Sequence, residues 1–421
     1  MSIPKIIWAI WLNFDKKEDG KLDKRLKWYK ERIINLHPTW EINIIDKWND
    51  LLEYISEDLL LVSVIENNYI ITASKSDAIR FFLLNKYGGF WLDFSTFLIC
   101  PIDIYLQKQP NASFICYYTP SFMIEQVIFD SLGKMMDGVK WSRIIEKFKV
   151  RQKKYIRLNN KYSKYPYIPE SFFVASKPNN YIIHDIYNEI MIFWKKTLPL
   201  VNNKEELTFF INKNMSKLTS EIFIMNSLDL NLSTQFNEEN ITNTEFKGSL
   251  LDNVWHGAYI LIYLQMYKSF IKYIKLHRVN IHGENIGNLS LHSPHRTSLC
   301  FDDNRINSCQ NIIVKNNSNS DVLYLLSLSY NRLIKWRDTE EERISFHNTY
   351  IETMLKKVTT GALSKDVLLD TLTNNGIYQI KFSHWTRNSH IIEMLMKIYT
   401  NKKTRKIGRK YKRLTLKLRA K

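Results

Sequence analysis

Disulfide chemistry has almost no material in this sequence: four cysteines, Cys100, Cys116, Cys300 and Cys309, are spread over 421 residues. That excludes a small disulfide-stapled scaffold and points to a reducing compartment. Long apolar runs are missing as well. No window approaches the roughly 18 uninterrupted apolar residues of a spanning helix, so no transmembrane helix is expected. Residues 1–12 lack a charged segment leading into a long apolar run and a small-residue cleavage site, so no signal peptide is expected either. Acids are absent from the last twenty residues. Eleven Lys or Arg fall in 402–421, so eleven of the net eighteen positive charges belong to one terminal segment. Tyr411, Leu414, Leu416 and Leu418 interleave with them, which suits a peripheral helix on an anionic membrane. A solvated terminus is the plainer reading. No nucleic-acid reader motif accompanies the tail, so no nucleic-acid partner is expected.

Hydrophobic residues make up 45% and charged residues 24%, which reads as a globular protein of two or three domains. Residues 4–12 (PKIIWAIWL) form a short apolar run suited to a buried strand. Residues 24–36 follow with helical spacing, and His37-Pro38 stops them. Residues 41–45 alternate as a second strand. A β-α-β opening of this kind predicts a parallel α/β sheet. A helix is expected over 76–87, with Ser76 as its cap and Asp77 in its first turn. Gly88-Gly89 would end it, and 90–99 would return as a strand carrying Asp93. Further strands are expected at 112–118 and 170–175, and helices at 181–196, 207–225 and 259–276. The stretch 277–320, rich in Asn, Ser, His and Gly, reads as a loop-rich insertion or junction, and 321–400 as mostly helical. The expected division is therefore 1–276, 277–320, 321–400 and a tail at 401–421.

Asp77 and Arg80 stand at i and i+3, on one helix face. The glycine pair reverses the chain, so that Asp93 returns toward the same point. A transferase that uses a sugar nucleotide needs these residue types. A carboxylate fixes sugar hydroxyls, and a guanidinium orients hydroxyls or balances a diphosphate. A carboxylate at a strand end can hold ribose or a divalent cation. The plainer reading of Asp77 and Arg80 is a first-turn acid with a surface partner. Asp93 between Leu92 and Phe94 resists such a reading, because an acid in an apolar strand is costly unless it is paired or used.

The segment SDAIRFFLLNKYGGFWLDFS resembles the S-D-x-x-R … Y-G-G-x-W-x-D-x-(S/T/D) pattern of the capsular polysaccharide synthesis protein family. It is similar, more distantly, to DXD-motif sugar transferases and large glucosylating toxins. The opening P-K-I-I-W-x-x-W and the segment 171–178 (SFFVASKP) support the resemblance, which covers roughly residues 3–200. It implies a GT-A fold, a Rossmann-like sheet that binds a sugar nucleotide, here with an added mainly helical C-terminal region. It also implies a glycosyltransferase that moves a sugar from a nucleotide-diphosphate donor, UDP-sugar favoured, to a hydroxyl. The acceptor would be a glycan or lipid-linked glycan, met at the cytoplasmic face of a membrane. A toxin-like transferase acting on a protein is the alternative. Carried over, Trp11 would stack on the base, Asp77 and Arg80 would meet the donor sugar, and Asp93 would sit at the ribose and diphosphate and hold Mn²⁺ or Mg²⁺. Ser95 stands where the second motif aspartate would be, and a hydroxyl is a poorer metal ligand than a carboxylate. His384-Trp385 resembles the late loop with which related transferases close over the diphosphate.

Trp8 and Trp11 are three apart and face opposite sides of a strand, so one of them belongs to the core. His292, His295, Cys300 and Cys309 form H-x2-H-x4-C-x8-C, which fits no zinc spacing.

Overall fold

The structure is a computed structural model. It describes residues 2–68, 70–120, 167–200, 205–206, 210, 269, 280–284, 311–315, 322–327, 355–374, 379–381 and 389–400. The expected helices at 207–225 and 259–276, and the basic tail, lie outside these residues or nearly so. The chain packs as two units: 1–21 with 37–94 and 102–328, and 22–36 with 95–101 and 329–421.

The first unit is built on an eight-stranded mixed sheet. Its strands are β1 (Ile6–Ile10), β2 (Glu41–Ile45), β3 (Gly89–Leu92), β5 (Ala112–Pro120), β6 (Tyr167–Ser176), β7 (Asn280–Glu284), β8 (Asn311–Lys315) and β9 (Val322–Ser327). The order is β2-β1-β3-β6-β5-β9-β8-β7. Strand β1 pairs in parallel with β2 and β3, as the opening β-α-β predicts, while β6 runs antiparallel between β3 and β5. The class is α/β.

Both faces of β1 and β3 are covered, which is why these two strands read as apolar runs. On one face Trp8, Trp91, Val174 and Phe114 meet α2 (Trp48–Ile55), α3 (Leu59–Glu66), α4 (Thr72–Lys86) and α6 (Tyr181–Thr197) in a single apolar cluster. Trp8 packs there edge-on against Tyr54 at 5.1 Å and donates its indole N–H to the Gly88 carbonyl at 2.8 Å. On the other face Phe90 meets Trp40 at 5.3 Å, and Phe173 meets Tyr105 of α5 (Asp103–Lys108) at 4.9 Å. Trp8, Phe90, Phe173 and Tyr105 are fully buried, and each contributes roughly 1.5–3 kcal/mol or more.

Several elements depart from the sequence expectation. Helix α4 begins at Thr72, four residues before Ser76, so Ser76 is not its cap and Asp77 is its sixth residue, past the first turn. The cap position is Ile71, which makes no side-chain cap hydrogen bond. The strand expected over 90–99 is broken at 93–95. Its first part is β3, and its second, β4 (Thr96–Leu98), belongs to the other unit. The stretch 277–320 holds β7 and β8, and the region expected to be helical opens on β9. Ile312-Ile313-Val314 and 322–326 (VLYLL) are short β-branched and aromatic runs. Their polar flanks hide them from a reading of periodicity.

The second unit contains α1 (Lys24–Leu36), β4 antiparallel to β10 (Gln379–Lys381), α7 (Lys365–Asn374) and α8 (Ser389–Thr400). Phe97 is its hub, 5.5 Å from Tyr29, 6.0 Å from Trp28 and 5.7 Å from Tyr399. The buried Tyr29 hydroxyl donates to the Thr96 carbonyl and accepts from the Leu98 N–H at 3.2 Å. Burial pushes its phenol well above the usual range.

Candidate functional site

Helix α4 is buried over Ser74, Lys75 and 77–84. A helix enclosed on all sides is ordinarily apolar all round, yet this one buries Lys75, Asp77 and Arg80. Its C-terminal end fixes where those charges lie. Tyr87 and Gly88 donate their N–H groups to Leu83 and Leu84 carbonyls at 2.8 and 3.0 Å. The chain then turns through Gly88 at φ 67° and Gly89 at φ 98°. A Cβ on Gly88 would stand 2.7 Å from Pro178, and one on Gly89 2.7 Å from the Ile6 carbonyl oxygen. Conformation and space both demand glycine there. The turn sends β3 back along α4, so the first turns of α4 lie toward the carboxyl end of β3. In open α/β sheets that edge is where ligands bind.

Three predicted residues meet at this edge. Arg80 donates from Nη1 to Asp77 Oδ1 and from Nη2 to Asp93 Oδ1, the second bond measuring 2.7 Å. Asp93 follows the last residue of β3 and is anchored by its own N–H donating to the Phe172 carbonyl at 3.0 Å. The surface reading of Asp77 and Arg80 is thereby removed: Arg80 is 4% exposed and Asp77 8%. The sequence reading missed Trp91 as a member of the site. Its indole N–H donates to the same Asp93 Oδ1 at 2.9 Å, and its ring lies 5.0 Å from the Arg80 guanidinium. The x-W-x-D spacing carried the signal, since residues two apart in a strand share a face. Nε is the one nitrogen of the guanidinium without an acceptor among the described residues, and it is buried.

Trp8 is the core tryptophan of the opening pair, at 1% exposure. Strand register sets Trp8 beside Trp91. Just past the carboxyl ends of these strands, Trp11 lies half-buried, 5.8 Å from Phe94. Its indole N–H donates to the Lys21 carbonyl at 3.3 Å. Trp11 thus stands at the same sheet edge as Asp93. Ser95 falls in the second unit, where it precedes β4. His384 and Trp385 lie outside the described residues, as do His292, His295, Cys300 and Cys309.

The described residues do not fit the divalent cation that the motif implies at Asp93. A guanidinium already stands between the two carboxylates, and Oδ1 of Asp93 already accepts two bonds. A serine occupies the position of the second motif carboxylate. No group of three or more His, Cys, Asp or Glu suited to a metal ion occurs among the described residues. Nor, among them, is any helix long and apolar enough to cross a membrane.

A family model described as "Capsular polysaccharide synthesis protein" matches residues 2–250, more than half of the chain. Inositol phosphoceramide mannosyltransferase 3 of Schizosaccharomyces pombe (strain 972 / ATCC 24843) is 31% identical over 96 residues, 22% of this chain and 24% of that protein. The chain thus spans about a quarter of the length of the curated relative it matches. A solved structure titled "PaToxG Glycosyltransferase" aligns with 62% of this chain and 87% of its own, at 12% identity. Its TM-score of 0.23 is too low to bear on the fold.

Proposed function

This chain belongs to the capsular polysaccharide synthesis protein family, and on that premise we propose that it is a glycosyltransferase. It moves a sugar from a nucleotide-diphosphate donor, UDP-sugar before others, to a hydroxyl of a glycan or lipid-linked glycan in surface polysaccharide synthesis. The observation that carries this reading is the Asp77–Arg80–Asp93 bridge, buried at Asp77 and Arg80 and partly exposed at Asp93, at the carboxyl edge of a GT-A-like sheet. Two carboxylates and a guanidinium with one unsatisfied N–H form a directional array for sugar hydroxyls. Trp11 stacks on the base of the donor, Asp77 and Arg80 orient its sugar, and Asp93 holds the ribose. A fixed, water-poor array of this kind favours the charge that develops on the leaving diphosphate. The basic tail at 402–421 holds the enzyme at the inner face of the membrane through anionic lipid headgroups.

The test pairs donor screening with one variant. Thermal shift across UDP-, GDP- and CMP-sugars, with and without Mn²⁺, identifies the donor, because a ligand stabilises the state it binds. Glycan and protein acceptors are then compared for transfer. Asp93→Asn should keep the fold and lower transfer at least a hundredfold. Near-normal turnover in that variant would sink the site, and transfer to protein acceptors alone would replace the glycan reading with the toxin-like one.

A further inference from the structure

Helix α4 buries a second cation that the site described above does not use. Lys75 is fully buried, and its Nζ has no hydrogen-bond partner among the described residues. Its neighbours come from the loop that follows β1. The ammonium lies 5.8 Å from the Phe14 ring, is attracted by Asp15 and repelled by Lys17, and forms an ion pair with neither. A buried ammonium without a partner is among the costliest features a fold can carry, at several kcal/mol. Burial accordingly lowers its pKa. Buried lysines are kept where something else supplies the opposite charge.

Position says what that something is. Lys75 is the fourth residue of α4, whose cap residue Ile71 offers its first-turn N–H groups no side-chain acceptor. An uncapped helix start and a buried ammonium together form an anion site. Lys75 and Asp77 are two residues apart, roughly 200° around the helix. Lys75 therefore faces the loop that follows Trp11, while Asp77 faces Arg80 and Asp93. On the functional reading above, the base lies at Trp11 and the sugar at Asp77 and Arg80. The diphosphate joins them, and the first turn of α4 stands at the same edge of the sheet.

We propose that Lys75, with the uncapped first turn of α4, is the binding site for the donor's diphosphate and supplies the counter-charge that related transferases take from a divalent cation. The proposal rests on the glycosyltransferase reading and narrows it to donor binding without metal. The exposed turn at residues 15–19 covers the ammonium, closed by reciprocal backbone hydrogen bonds of 3.1 Å between Asn13 and Glu18. It is the part that yields when the anion enters.

The experiment is calorimetric titration of the full chain with inorganic pyrophosphate and with UDP and GDP, each in EDTA and in Mn²⁺. Wild type should bind pyrophosphate in EDTA. Lys75→Met, which keeps the length of the side chain, should fold with an equal or higher Tm and bind pyrophosphate at least tenfold more weakly, while Lys75→Arg retains part of the affinity. Wild-type binding that requires Mn²⁺, or unchanged binding in Lys75→Met, overturns the proposal and leaves the transferase reading standing. Failure of wild type to bind pyrophosphate, UDP and GDP in either condition overturns both.

Discussion

Arg80 in the first unit and Arg32 in the second both lie against aromatic rings, at 5.0 Å from Trp91 and 3.8 Å from Tyr399, yet their charges are met in different ways. Arg32 gives Nη2 to the carbonyls of Leu98 and Ile99 at 3.0 and 3.2 Å and rests on the faces of Tyr399 and Phe97. Arg80 is bound to two carboxylates. Arg32 is half-buried, so water shares its charge with those carbonyls and rings, whereas Arg80 is 4% exposed and is met inside the protein. The two carboxylates that meet Arg80 carry a desolvation cost of their own. On the proposed function they serve the donor sugar as well as the fold.

Replacing each arginine tests that contrast most directly. Arg80→Met leaves the buried Asp77 and the partly exposed Asp93 without the guanidinium between them, which should cost about 3 kcal/mol. Arg32→Met forfeits a cation–π contact and hydrogen bonds to carbonyls, at about 1–2 kcal/mol. Urea denaturation of the two variants measures both. Equal losses would break the comparison, because the two sites would then be stabilising to the same degree.

A smaller effect is expected from Trp91→Phe. The phenyl ring preserves the face beneath the guanidinium and removes the N–H that Asp93 Oδ1 accepts. The stability cost should be about 1 kcal/mol. Transfer should fall roughly tenfold, about 1.4 kcal/mol in the barrier, because one of the two donors on Asp93 Oδ1 is then lost. A stability loss with transfer unchanged would reduce Trp91 to a packing residue.

Where the sequence was legible, one period dominated. The apolar run of β1, the 3.6 spacing of α1 with its His37-Pro38 stop, and the alternation in β2 gave their elements nearly to the residue. The meeting of Asp77, Arg80 and Asp93 was legible too, because helix spacing and a glycine turn are local. The start of α4 was not, since Ser74 and Lys75 are polar yet buried, and burial of polar groups leaves no apolar stripe to read. The break at 93–95 was hidden in a run of apolar residues on both sides. That β6 inserts between β3 and β5 depends on pairing between distant segments, which no window of sequence contains.

The last prediction concerns the second cation near Arg32. Lys365 donates from Nζ to the Ile398 carbonyl at 3.3 Å and lies 4.1 Å from the Tyr399 ring. Burial, followed by repulsion from Arg32, lowers its pKa to about 8. An unfolded lysine titrates near 10.4. Below about pH 8 both states carry the charge, and the folded state bears the full cost of burying it. Between about pH 8 and 10.4 the folded chain releases the proton that the unfolded chain keeps, so the contribution of Lys365 to stability rises with pH. Lys365→Met removes that dependence. Urea denaturation at pH 7 and at pH 9.5 should therefore show wild type gaining on the variant as pH rises, with the variant at least as stable at pH 7. A wild type that instead loses ground with pH would mean that the charged ammonium is held favourably by the ring and the carbonyl. The second unit would then share with the first a cation worth more than its burial costs.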